Sequence, residues 1–214
     1  MSTHRSPRSR PVTVFIGGAP ASGKTTLGHA LAPALGAALL DLDVATGPLT
    51  RLVLELVGAT DFSDPRVSDL TRDRRYETLL ALAVDITRGG TSVVLVAPFT
   101  AERDAAVWTA TAARMAVSAD PHLVWLTLPP DELARRLVTR GAARDLMKRR
   151  DPAGWLASLD IDNPSAPHLA LDAIRPLDEL VAAVIAHLDL QRSTDGSLYG
   201  RNPCDLLHNG GQPT

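Results

Sequence analysis

Lysine is nearly missing from this chain. Of 22 Lys and Arg residues, only Lys24 and Lys148 are lysines, so arginine carries almost all the positive charge. Cysteine is reduced to Cys204, which excludes an internal disulfide and fits a reducing compartment. There is no excess charge of either sign: the formal net charge is -2, which argues against nucleic acid or an anionic membrane as partner. Long apolar runs are lacking too, and no segment reaches the length that spans a bilayer. The N-terminus MSTHRSPRSR is basic, but the apolar run after it is too short for a secretory signal and leads directly into glycines. A cytoplasmic protein is expected, monomeric or homodimeric.

What is present is an alternation of strands and helices within 214 residues, enough for one α/β domain. Strands are predicted over Val12–Ile16, Ala38–Leu42, Ser92–Val96, His122–Leu128 and His168–Leu171. Helices are predicted over Lys24–Leu35, from Thr46-Gly47-Pro48 to about Val57, from Asp64-Pro65 to Arg88, over Thr100–Ser118 and over Pro130–Arg140. A closing helix carries the stripe Leu177, Leu180, Val181, Val184, Ile185 and Leu188. This order predicts a five-stranded parallel sheet with helices on both faces. The domain is expected over residues 11–190, between mobile tails at 1–10 and 191–214 that lack periodicity.

The segment GGAPASGKTT contains Gly18-x-x-x-x-Gly23-Lys24-Thr25 between a predicted strand and a predicted helix. That is the pattern and context of a phosphate-binding loop, or P-loop. Glycines let backbone N–H groups approach phosphate oxygens, and the helix N-terminus adds a partial positive charge. The expected nucleotide-binding residues are Gly18, Ala19, Pro20, Ala21, Ser22, Gly23, Lys24, Thr25 and Thr26. Lys24 reaches the β- and γ-phosphates of ATP, and the Thr25 hydroxyl is suited to Mg²⁺.

Hydrolytic P-loop proteins usually hold Mg²⁺ through an Asp that closes a later apolar strand. Here that strand reads SVVLVAPF, with Val96, Ala97, Pro98 and Phe99 where the acid and a neighbouring base would stand. No NKxD guanine signature occurs either. The second strand instead ends in LLDLDVATG. Asp41 and Asp43, two apart on an extended chain, are expected on one side at the sheet's ligand-binding edge. One suits a metal-bound water and the other a proton from an attacking hydroxyl. Two solvated acids, or caps for the following helix, are the plainer alternatives.

On GAPASGKT, the DLD pair and a basic lid-like segment, residues 11–190 resemble the small P-loop kinases of metabolites and antibiotics, such as shikimate kinase, gluconate kinase and chloramphenicol phosphotransferase. The resemblance implies a P-loop NTPase fold with a short helical lid at about 141–160. It implies Asp41 as the metal-side acid and Asp43 as the substrate-side, catalytic one. In ELARRLVTRGAARDLMKRR it implies Arg140 on the adenine side, Arg144 on the phosphate side as a further catalytic residue, and Gly141 as hinge. A solvated basic helix face is the alternative. The glycine-rich turn of shikimate kinases is replaced by Ala97-Pro98-Phe99, which argues against shikimate as substrate.

In TRDRRYETLL, Arg72, Arg75 and Tyr76 fall where the resembled kinases place acceptor-binding helices, although an exposed run of alternating charge explains them as well. Arg75, Tyr76 and Phe99 join Asp43 as candidate acceptor residues. His29, His122, His168 and His187 lack metal-ligand spacing, and Trp108 and Trp125 read as core or pocket wall. The expected activity is ATP- and Mg²⁺-dependent phosphoryl transfer to a hydroxyl of a small metabolite or natural product, antibiotics included. A nucleoside or nucleotide kinase and a nucleotide-dependent regulatory ATPase are the alternatives.

Overall fold

A computed structural model of the chain describes residues 10–59, 64–140 and 163–199. Its first strand, β1 (Val12–Gly18), lies at the centre of a five-stranded parallel sheet. β3 (Val93–Val96) pairs with one side of β1, and β2 (Ala38–Asp41) lies outside β3 at the edge. β4 (Asp120–Thr127) pairs with the other side of β1 and carries β5 (Leu169–Asp172) beyond it. The register puts Ile16 opposite Val96 and Val96 opposite Asp41, so β1, β3 and β2 end nearly level. The winding direction changes at β1, and a crevice outside the C-terminal strand ends at such a point is where open α/β sheets bind ligands.

Among the described residues the helices are α1 (Lys24–Leu35), α2 (Leu42–Leu56), α3 (Pro65–Arg88), α4 (Ala105–Met115), α5 (Pro130–Arg140) and α6 (Leu177–Tyr199). Alternation along the strands divides the core in two. Val14, Ile16, Val94, Val96, Val124 and Leu126 meet Leu27 and Leu31 of α1 and Leu180, Val184 and Leu188 of α6. Phe15, Val93, Leu95, Leu123 and Trp125 face the opposite way, onto Leu79, Leu80 and Ala83 of α3 and Trp108 and Met115 of α4. Phe15 is the hub of the second half, edge-on to Phe99 at 5.1 Å and to Trp108 at 5.2 Å. Trp125 reaches so close under β1 that a Cβ on Gly17 would lie 2.4 Å from its ring.

Several boundaries differ from the sequence expectation, each for a local reason. β2 stops at Asp41 and α2 starts at Leu42, four residues before the predicted Thr46, because the Asp41 carboxylate accepts the N–H groups of Asp43 and Val44. Pro48 therefore lies inside α2 and not in its first turn. α4 starts at Ala105, not Thr100, because Asp104 caps it by accepting from the N–H groups of Ala106 and Val107. Arg10, expected in a mobile tail, pairs with Asp120 at 3.1 Å and donates to the Ala116 carbonyl. α6 continues to Tyr199, past the expected limit at 190.

Candidate active site

The P-loop leaves β1 at Gly18, whose φ of 136° is open to glycine and strained for other residues. A Cβ there would also approach the Leu126 carbonyl to 2.7 Å. Ala21 adopts a left-handed φ of 66°, and Gly23, at φ 96°, is the N-cap of α1. The Gly23 side chain is absent and its own carbonyl is turned into the helix, where it accepts from Leu27 N at 2.9 Å. Ser22 is 1 % exposed, with its hydroxyl packed beneath the loop. Lys24 folds over the loop, donating from Nζ to the Gly18 carbonyl at 2.9 Å and the Ala19 carbonyl at 2.7 Å. Thr25 and Thr26 stand exposed on the first turn of α1.

Across β3, the two acids reach the same cleft from different elements. Asp41 closes β2. Its Oδ1 caps α2 at 2.9 Å from Asp43 N, while its Oδ2 accepts from Thr25 Oγ1 at 3.1 Å. It is thus both the helix cap that the sequence allowed and a neighbour of the P-loop threonine. Asp43 is not on the strand, as alternation suggested. It sits in the first turn of α2, where the helix dipole favours a carboxylate. Its Oδ1 accepts from Arg75 Nη2 at 2.6 Å, and Arg75 Nε donates to Thr46 Oγ1 at 2.8 Å. The Thr46 hydroxyl in turn donates to the Leu42 carbonyl at 2.6 Å. A chain of polar contacts therefore ties the α2 N-terminus to the middle of α3.

The cleft between these groups is about 750 Å³ and is lined by the P-loop, Asp41, Asp43, Arg72, Arg75, Tyr76, Pro98, Thr100 and Arg136. That is within the size of small-molecule sites. Arg72 Nη2 donates to Thr100 Oγ1 at 2.7 Å. Burial, with a smaller contribution from the charge of Glu102, pushes the Tyr76 phenol up to about 12, so it stays protonated and available as a donor. Glu102 is 6 % exposed with Oε2 unpartnered, and burial raises its carboxyl above the ordinary range.

Phe99 requires a correction. It does not line the cleft: its side chain is fully buried, edge-on to Phe15 and 5.9 Å from Tyr76. Its φ of 49° turns the ring inward just after β3, leaving Pro98 and Thr100 as the exposed wall.

Arg136, which shares a four-residue spacing with Arg140 and Arg144 in the sequence but had no role of its own there, is the arginine that meets the P-loop. Its Nη1 would lie 3.8 Å from a Cβ on Gly23, so its guanidinium faces the P-loop. Glu132 holds its Nε at 2.7 Å and the Ala173 carbonyl accepts from its Nη2 at 2.9 Å. The four-residue spacing of Arg136 and Arg140 was visible in the sequence, but which turn of α5 meets the loop was not. Arg140 closes α5. Arg144, Gly141 and the expected lid at 141–160 lie outside the described residues. Among the described residues no His, Cys, Asp and Glu group of metal-binding size occurs, and no helix is long and apolar enough to cross a membrane.

Comparison with known proteins matches residues 13–159 to the AAA domain family. No curated protein matches the sequence. Among solved structures, a presumed kinase from Chloroflexus aurantiacus superposes with a TM-score of 0.59 at 22% identity, covering 86% of this chain and 98% of its own. The APS kinase CysC of Mycobacterium tuberculosis, in complex with AMPPNP and APS, gives 0.57 at 21% identity, with 84% and 98% covered. A gluconokinase from Sinorhizobium meliloti 1021 gives 0.51 at 19% identity, with 86% and 99% covered. At these identities the likeness is one of fold, and it agrees with the strand order and P-loop described above. The chain belongs to the AAA domain family and has the fold of the P-loop small-molecule kinases.

Proposed function

We propose that the protein is an ATP-dependent phosphotransferase that delivers the γ-phosphoryl group to a hydroxyl of a small molecule. The observation that carries the reading is the 3.1 Å contact between Thr25 Oγ1 and Asp41 Oδ2, with Asp43 in the same cleft. Phosphate oxygens would compete for the Lys24 ammonium now resting on loop carbonyls. Arg136 would spread charge over the same nucleotide with its planar fork.

Thr25 and Asp41 present neighbouring oxygen donors beside the P-loop, which is the donor chemistry Mg²⁺ prefers. They are the residues that would hold it, and the ion would neutralise charge on the β- and γ-oxygens. The acceptor hydroxyl oxygen attacks the γ-phosphorus, the bond to the β,γ-bridging oxygen breaks, and ADP leaves. The hydroxyl proton passes to the Asp43 carboxylate. Arg75, itself anchored on the Thr46 hydroxyl, holds that carboxylate in place. Tyr76 and Arg72 offer donors to the rest of the acceptor.

The test is a screen with γ-labelled ATP and Mg²⁺ against pooled hydroxylated metabolites, nucleosides and antibiotics. Label is expected in an organic phosphate ester, and Asp43→Asn is expected to slow its appearance by on the order of 10²–10⁴. Release of inorganic phosphate with every pool, and no labelled ester, would overturn the reading.

A further inference from the structure

The outer face of α2 carries an apolar row that nothing in the described chain covers. Val44, Pro48, Leu52 and Leu56 recur every four residues, so they form one ridge along the helix, with Leu49 beside it. Val44 is 77 % exposed, Leu49 68 %, Leu52 50 % and Leu56 76 %. The buried side of the same helix, Leu42, Thr46, Gly47 and Thr50, already packs inward, so this row is not a misplaced core face. α2 follows directly on β2, the edge strand of the sheet.

We infer that this ridge is the contact of a two-fold symmetric homodimer, α2 against α2. Ridges at four-residue spacing pack into one another at a crossing angle of about 50°, the commonest helix packing in globular proteins. An isologous contact uses the same patch twice. On the order of several hundred Å² of apolar surface per copy is at the upper end of what monomers leave contiguous, and doubled it approaches about 1,000 Å², where specific interfaces begin.

Charge selects a second copy of this chain as the occupant. Arg51 and Glu55 are the exposed charged residues on one flank of the ridge, and neither has an ion-pair partner within the described chain. In an antiparallel pair whose two-fold axis crosses the helices at the level of Val53, Arg51 of each copy stands opposite Glu55 of the other. The two opposite charges meet twice across the symmetry axis. The inference does not depend on the kinase reading. It does place the dimer contact on the helix whose first turn carries Asp43.

Sedimentation velocity on the full chain tests it, without nucleotide and across a dilution series into the low micromolar range. A concentration-dependent dimer is expected, with Leu52→Glu monomeric and unchanged in circular dichroism. Arg51→Glu is expected to weaken the dimer by about tenfold, and adding Glu55→Arg to restore it. The charge swap decides the matter if Leu52→Glu does not fold. A chain that stays monomeric throughout leaves the ridge to another partner and overturns the inference. So does a dimer that neither Leu52→Glu nor Arg51→Glu weakens.

Discussion

Asp43 and Arg75 meet at 2.6 Å, one on the first turn of α2 and the other in the middle of α3. Arg75 is the less exposed partner, at 24 % of its side chain against 53 % for Asp43. Such a half-exposed pair contributes about 1 kcal/mol or less to stability. Its consequence is positional: the carboxylate is held over the cleft by a guanidinium that Thr46 holds in turn.

Replacing Asp43 by Asn keeps the shape and removes the proton acceptor. Turnover should fall by on the order of 10²–10⁴, while nucleotide affinity stays near wild type. Arg75→Ala should lower turnover less and raise the acceptor KM, because it loosens Asp43 without removing it. Steady-state kinetics with isothermal titration of a non-hydrolysable ATP analogue separates the two.

Asp41 has two duties, and two substitutions divide them. Asp41→Ala removes both the α2 cap and the oxygen beside Thr25, so it should cost about 1 kcal/mol of stability and most activity. Asp41→Asn keeps a capping oxygen. It should melt near wild type yet require far more Mg²⁺ for activity. Thermal melting and a Mg²⁺ titration of the rate check this.

Gly17→Ala places a methyl group 2.4 Å from the Trp125 ring. The ring or β1 must shift, at a cost of about 1–3 kcal/mol. A smaller side chain at position 125 in the same background should recover part of that loss in chemical denaturation.

Glu102 gives a pH signature. Burial raises its carboxyl above 4.5, so the native chain keeps a proton that the unfolded chain releases. Stability associated with the protonated group is fully present below about pH 4.5 and is lost as pH rises through the raised native value. Glu102→Gln removes the titration. Its melting temperature should match wild type in acid and exceed it at neutral pH.

Arg136→Ala should weaken ATP-analogue binding by about tenfold, the scale of a charge-assisted contact. Arg136→Lys should recover little, since one ammonium cannot bond Glu132 and the Ala173 carbonyl and still face Gly23.

The parallel α/β fold and the P-loop were legible in the sequence because their causes are local: apolar runs, glycine spacing and helix stripes act within a few residues of themselves. Val14, Ile16, Leu180, Val184 and Leu188 take the core places their pattern implies, while Leu177 at the start of the closing stripe stays exposed. The Asp41–Asp43 pair was also legible as chemistry, but its geometry was not. Whether Asp43 continues a strand or opens a helix depends on a cap made by its own neighbour, and extended spacing could not reveal that cap.

What the sequence by itself determined is the phosphate-binding loop, the strand–helix order and the presence of two acids near the sheet's edge. Tertiary structure alone decided that Thr25 meets Asp41, that Arg75 meets Asp43, that Arg136 faces Gly23 and that Phe99 turns into the core. These partners come from different elements, with β3 lying between β1 and β2. Only the packing of helices on the sheet sets which turn of each helix, and which side of each backbone bend, points into the cleft.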